Sequence, residues 1–319
     1  MWRSFRDLSP VLCGAALWCG CSGMVCAAGV GVGAGVVNPL PFEPMPPLAL
    51  TGDAASPRPS AGVVAFPADP CKDWGVRLPN VKPSLCAAAG LLPTAGRSHQ
   101  GRTLFSRDVV APDARVRVLV VGAIHGDELS SASLALHWIQ QAIETPARAH
   151  WRFIPALNPD GLMARPPKRV NARGVDLNRN FPTPNWVRDA KVYWEKRTRK
   201  DPRRWPGPKP LSEPESRYLH DEMERFRPDL IVSIHAPYGV LDFDGPGKPP
   251  PKLGRLYLDQ LGIFPGSLGN YGGVHRGMPV VTIELPNALR TPLESEMQQM
   301  WADLLRWMRE KVLPPDSAP

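Results

Sequence analysis

The amino-acid sequence predicts an α/β fold: a mixed, largely parallel, twisted sheet with helices on both faces. Three observations carry that reading. Short β-branched apolar runs, of which residues 116–124 are the clearest, have the length and composition of buried strands. Between such runs lie stretches with apolar residues at helical spacing, as in Leu129, Ala132, Leu136, Ile139 and Ile143. The two patterns alternate, which places ligand sites at the carboxyl ends of the strands. At 319 residues the chain can build one large core, or one domain with appendages.

Taken in order, residues 1–28 carry the marks of an export signal. Arg3 and Arg6 give a positive start, and a short apolar run follows from Val11 to Trp18. Small residues around Cys26, Ala27 and Ala28 suit cleavage. Gly20 before Cys21 suits lipid attachment instead, although Trp18 stands where an aliphatic residue is preferred. No charged residue falls between Leu8 and Phe42, so a retained membrane tether is the third reading. The shared expectation is an exported, periplasmic protein, either free, lipid-anchored at Cys21 or tethered.

Residues 29–68 are rich in Gly, Ala and Pro without periodicity and predict a linker. Residues 69–94 predict an extension ahead of the main domain. Four of the six cysteines lie in the leader, leaving Cys71 and Cys86, and a lone pair in an exported chain reads as a disulfide. The main domain is expected over residues 95–315. Strands are expected at 101–105, 116–124, 151–157, 229–235 and 280–285, and helices at 128–143, 212–226 and 292–312. Ser212 and Glu215 are spaced as a capping box, with Ser212 as N-cap of the second helix. Many of the 39 prolines fall at 38–70 and 202–251, marking the linker and irregular loops.

The formal net charge of +8 is unevenly spread. Residues 188–209 hold nine Lys or Arg against three acids. That patch reads either as a solvated helix and loop or as an attraction for an anionic polymer or substrate. No nucleic-acid-binding signature accompanies it, so DNA and RNA are not expected partners.

The chemistry gathers at strand ends. His125 and Glu128 stand where a strand gives way to a helix, His235 ends another strand, and Glu284 lies in the last. Two neutral imidazoles and a carboxylate, with an open fourth position, suit a divalent metal, above all zinc. A further carboxylate nearby can take a proton from water and return it to a leaving amine. Glu284 in an apolar strand asks for such a role, since a buried unpaired carboxylate costs several kcal/mol. His99, His137, His150, His220 and His275 lack partners at ligand spacing and are read as non-ligands. On their own, Asp176 and Asn178 also read as turn residues, and Arg169 as a surface charge replaceable by Arg165 or Lys168.

Five motifs occur in order across residues 95–312: His125-x-x-Glu128, Asn158-Pro159-Asp160-Gly161, Gly174-Val175-Asp176-x-Asn178-Arg179-Asn180, Ser233-x-His235 and Glu284 in the last strand. In these the chain resembles the zinc carboxypeptidases of the carboxypeptidase A-like superfamily. The resemblance implies that family's sheet in a single catalytic domain, with one zinc held by His125, Glu128 and His235. It implies Glu284 as general base and acid, and Arg169 polarising the scissile carbonyl. Asn178 and Arg179 would bind a substrate carboxylate, and Asp176 would orient a zinc histidine.

Three further stretches resemble the murein peptide amidase branch, which cuts the γ-D-glutamyl–diaminopimelate bond of cell-wall peptides. They are residues 205–208, His235-Ala236-Pro237 with Asp244-Gly245-Pro246, and residues 265–273 ahead of Glu284-Leu285-Pro286. That branch implies hydrolysis of muropeptides by water activated at the zinc; Asp244 is, separately, a candidate partner for the diaminopimelate ammonium. A carboxypeptidase acting on ordinary L-peptides would share every catalytic residue. An inactive wall-binding protein of the same fold is the non-enzymatic alternative. Digestive members carry a mobile tyrosine ahead of the catalytic glutamate, and Tyr271 is not assigned that role.

Overall fold

Side chains that alternate along one strand set the architecture of the protein, whose computed structural model describes residues 69–313. The expected export segment with Cys21 and the expected linker lie outside those residues. Chain order introduces β1 (Leu92–Arg97), β2 (Thr103–Val110), β3 (Val116–Val121), β4 (Ala149–Ile154), β5 (Leu230–His235) and β6 (Val240–Asp244). A small ribbon of β7 (Lys252–Leu253) and β8 (Leu256–Tyr257) follows, and β9 (Val280–Glu284) is last. Val118 and Val120 of β3 face one hydrophobic core, and Leu119 and Val121 face another. A strand buried on both faces belongs in the middle of a helix-covered sheet. β3 lies there, parallel to β4 and β5, and β5 continues in parallel to β9. Antiparallel strands complete both sides, giving the order β1-β2-β4-β3-β5-β9-β6. The expected mixed sheet with a parallel centre is present.

Seven α-helices are described: α1 (Pro70–Arg77), α2 (Pro83–Ala88), α3 (Leu129–Glu144), α4 (Pro159–Met163), α5 (Trp186–Val192), α6 (Pro214–Phe226) and α7 (Glu294–Lys311). α1, α2, α3 and α7 pack in the first core, while α6 covers the other face with Tyr218, Leu219, Met223 and Phe226. α3 is buried nearly all round because α7 lies against it, with the Trp138 and Trp301 rings 5.3 Å apart. Among the described residues no helix is long and apolar enough to cross a membrane.

The expected strand and helix centres hold, and their ends move by a few residues. The capping box does not form. α6 starts at Pro214 with Glu213 as N-cap and no side-chain cap. Ser212 Oγ instead donates to Glu213 (2.7 Å), and Glu215 accepts from the His99 backbone N–H (2.8 Å) and the Asn171 amide (3.1 Å). Long-range partners have claimed both side chains that local spacing assigned to the cap.

The extension packs on the domain rather than lying apart. Trp74, Leu78 and Val81 join the first core, and Arg77 donates to the carbonyls of Leu162 and Ala164 around α4. Cys71 and Cys86 are bonded and join α1 to α2 across 15 residues. Closing a loop of that length stabilises by about 3 kcal/mol, so reduction is expected to lower the Tm by about 10 °C. Peptide mapping without reductant should recover the two cysteines as one linked peptide pair. Recovery of two free thiols would contradict the bond.

Candidate metal centre and active site

Two loops pressed backbone to backbone make the floor of the site. Beyond β3, the chain turns through Gly126, where an added Cβ would stand 2.3 Å from backbone atoms of Gly161 and Leu162. Only glycine permits that approach. Asn158 then ties the loops together: its side chain accepts from Gly161 N–H (2.9 Å) and donates to the Arg169 carbonyl (3.1 Å). Gly126 N–H donates to the same carbonyl (3.2 Å). The Asn-Pro-Asp-Gly motif thus acts as a clamp between the His125–Glu128 turn and Arg169.

His125, Glu128 and His235 are buried, and one donor atom from each lies within 4.8 Å of the others. His125 Nδ1 is 2.8 Å from Glu128 Oε1, His235 Nδ1 is 3.0 Å from Glu128 Oε2, and the two Nδ1 atoms are 3.1 Å apart. Tetrahedral zinc with bonds near 2.0–2.1 Å spaces its nitrogen ligands about 3.3 Å from one another. Donor type and spacing both fit that ion. The far ring nitrogens are held: His125 Nε2 by Asp176 Oδ1 (3.1 Å) and His235 Nε2 by Ser233 Oγ (3.0 Å). Such outer contacts fix the ring orientation of ligating histidines.

Asp176 is fully buried and serves three neighbours. Its Oδ1 also accepts from Asn178 N–H (3.0 Å), and its Oδ2 takes Nε and Nη2 of Arg169, both at 3.1 Å. Burial would raise the Asp176 pKa, but Arg169 and His125 outweigh it and hold the carboxyl well below its ordinary value. Burial alone would lower the pKa of Arg169, and Asp176 with Glu128 raises it instead. Arg169 therefore stays charged beside the ligand set.

Glu284 ends β9 directly beside His235, its register partner on β5. Its Oε2 is buried with no hydrogen-bond partner. Burial pushes its pKa up, against the pull of His235 and His125. Arg179 is buried too, with no carboxylate in ion-pair range among the described residues and its Nε unpartnered. Its guanidinium lies 4.6 Å from the Phe264 ring and 5.8 Å from that of Tyr193. Asn178 Oδ1 accepts from Leu268 N–H (2.8 Å).

One cavity of about 370 Å³ collects His125, Glu128, Arg169, Asn178, Arg179, His235, Asp244 and Glu284, which are all the residues the sequence assigned to metal, substrate and proton transfer. Asp176 lies behind it. The Asp244 carboxylate makes no hydrogen bond or ion pair among the described residues, and burial with Asp242 pushes its pKa up to about 6. Gly269 clears space for it, since a Cβ there would collide with Asp244 Oδ2.

The cavity also contains residues the sequence did not point to. Asp242 lies two positions before Asp244 on β6, so both face inward; a strand assignment there would have found it. Arg203 and Arg204 come from the basic stretch, and Tyr238 and Phe264 carried no local signal. Tyr271 is buried, stacked 6.0 Å from Phe181, as befits a core residue.

A family model described as zinc carboxypeptidase matches residues 89–243. Murein peptide amidase A of Escherichia coli strain K12 is 31% identical over 243 residues, spanning 72% of this chain and 97% of that protein. The protein of that name from Vibrio campbellii is 32% identical over 210 residues, spanning 63% of this chain and 82% of its own. Among solved structures, carboxypeptidase A of Helicoverpa armigera superposes with a TM-score of 0.54 at 17% identity, covering 75% of this chain and 70% of that one, a likeness of fold. With the ligand set assembled and a relative matched over almost its whole length, the chain belongs to the zinc carboxypeptidase family of metallopeptidase hydrolases.

Proposed function

We propose that the protein is an exported zinc-dependent amidase that hydrolyses murein peptides at the γ-D-glutamyl–diaminopimelate bond. The observation that carries this reading is the two-signed cavity. A buried guanidinium without a carboxylate, Arg179, stands on one wall, and an unpaired carboxylate, Asp244, on another. Diaminopimelate presents carboxylates and an ammonium together, so both groups find partners in one residue. The relatives that match this chain over most of their length carry the murein peptide amidase name. Residues 1–28 supply the export reading, with release, lipidation at Cys21 or tethering as its forms.

Each residue then has a task. His125, Glu128 and His235 would hold one zinc, which when bound polarises the scissile carbonyl and lowers the pKa of a neighbouring water. Glu284 takes the proton from that water and delivers it to the leaving amine; its raised pKa makes it the stronger base for the first of these transfers. Arg169, kept charged by Asp176, steadies negative charge on the carbonyl oxygen. Arg179 and the Asn178 amide grip the carboxylate of the leaving residue.

Asp244→Asn tests the ammonium contact. A charged hydrogen bond of this kind is expected to change KM for a diaminopimelate peptide about tenfold. Because the folded-state pKa is raised above 3.8, the ionised carboxylate costs stability as pH climbs through 4 to 6 and above. The variant should therefore match the parent's Tm near pH 4 and exceed it at pH 7.5. An unchanged KM would remove Asp244 from the substrate site.

The competing reading, an L-peptide carboxypeptidase, is separated by relative kcat/KM on L-Ala-γ-D-Glu-diaminopimelate and on plain L-peptides. Strong preference for the former is expected; cleavage of the L-peptides alone would reject the murein assignment.

A further inference from the structure

The basic stretch reaches the active site through two side chains only. Of the nine Lys and Arg in residues 188–209, Arg203 and Arg204 line the cavity. They are held there by construction. Trp194 Nε1 donates to the Asp201 carbonyl (2.8 Å), Asp201 caps Arg203 N–H (2.9 Å), and the Trp205 carbonyl accepts from Asp176 N–H (2.8 Å). Both ends of this short turn are thereby fixed, one of them to the residue that orients His125.

The two arginines are not equivalent. Arg203 is spent on Asp127, at 2.8 Å, in the turn that carries the metal ligands. The Arg204 guanidinium makes no hydrogen bond among the described residues and has one long ion pair, to Asp201 at 3.6 Å. It stands near enough to Arg179 to repel it, in company with Arg169. Arg169 is engaged by Asp176 and Glu128. Arg179 and Arg204 remain, neither hydrogen-bonded to a carboxylate, and two guanidiniums in a partly desolvated cavity call for more than one anion. The acidic pair Asp242 and Asp244 makes the β6 wall unsuited to it.

We propose that Arg204, steadied by the Arg203–Asp127 pair, forms a second carboxylate subsite that takes a free α-carboxylate on the acyl side of the scissile bond. The proposal rests on the murein reading above, in which Arg179 receives the carboxylate of the leaving residue. A γ-linked glutamyl residue then carries its own α-carboxylate on the other side of the bond, and Arg204 is the cavity-lining guanidinium without a hydrogen bond that is left to receive it. Arg204 selects γ-glutamyl over γ-isoglutaminyl substrates, whose α-carboxylate is an uncharged amide.

The test compares tripeptides with D-glutamate or D-isoglutamine before diaminopimelate, using the full-length protein and R204A. The parent should favour the glutamate form at least tenfold in kcat/KM, mainly through KM, and R204A should reduce that preference below twofold, with R204K between. Equal handling of both peptides by the parent, or an undiminished preference in R204A, overturns the subsite. A preference that R204A loses only against peptides amidated on diaminopimelate places the carboxylate on the wrong side and also overturns it. Calorimetric binding of N-acetyl-D-glutamate and its α-amide needs no turnover and keeps the two claims apart. A protein that cleaves no γ-D-glutamyl peptide, yet prefers the diacid until Arg204 is removed, has lost the substrate reading and kept the subsite. A protein that cleaves the tripeptide but binds both probes alike has done the reverse.

Discussion

Glu284→Gln is expected to reduce kcat by about a thousandfold, within the range that positioned acid–base groups contribute. Glutamine keeps the shape and cannot accept the water's proton. The substitution touches no metal ligand, so zinc content should stay at one per chain. Stability should hold or rise, because the parent buries a carboxylate whose Oε2 has no partner. Steady-state kinetics, metal analysis and a thermal scan on one preparation separate these effects. Activity within tenfold of the parent would remove Glu284 from proton transfer and leave its burial without a function.

Removal of a ligand is the second large effect. His235→Ala takes away one of two imidazole nitrogens that stand 3.1 Å apart, and its loss leaves two donors where a catalytic zinc site takes three from the protein. Zinc retained after dialysis should fall from one equivalent to near zero, and hydrolysis with it. Zinc should also raise the parent's Tm by mass action, and that rise should vanish in the variant. Stoichiometric zinc in His235→Ala would show that the ion is held elsewhere.

Much of this site was legible because its residues lie at positions where local pattern and topology agree. His125 and Glu128 follow an obvious buried strand, and His235 and Glu284 end two others that proved to be neighbours in register. Sequence places such residues at a sheet's carboxyl edge without saying which strands adjoin. What escaped depended on contacts distant in the chain. Arg203 and Arg204 sit in a charged stretch whose composition suits solvent as well as a site; hydrogen bonds from Trp194 and Asp176 to the flanking Asp201 and Trp205 carbonyls decide the matter. Asp242 was hidden because β6 has acidic residues on its inward face, against the usual pattern of a buried strand. The failed capping box has the same origin. Ser212 and Glu215 have the right spacing for a local cap, but buried partners in Glu213, Asn171 and the His99 backbone compete for them. β1, with Pro93 and Gly96, has little strand propensity and exists through pairing with β2.

The central claim, hydrolysis of a murein amide by the His125–Glu128–His235 centre with Glu284, is tested most directly by mass analysis of products from L-Ala-γ-D-Glu-diaminopimelate. Zinc-loaded protein should release free diaminopimelate and L-Ala-γ-D-Glu as the sole products, and the Glu284→Gln variant should release neither above background. Release of alanine, an intact tripeptide, or equal product from parent and variant would contradict the account.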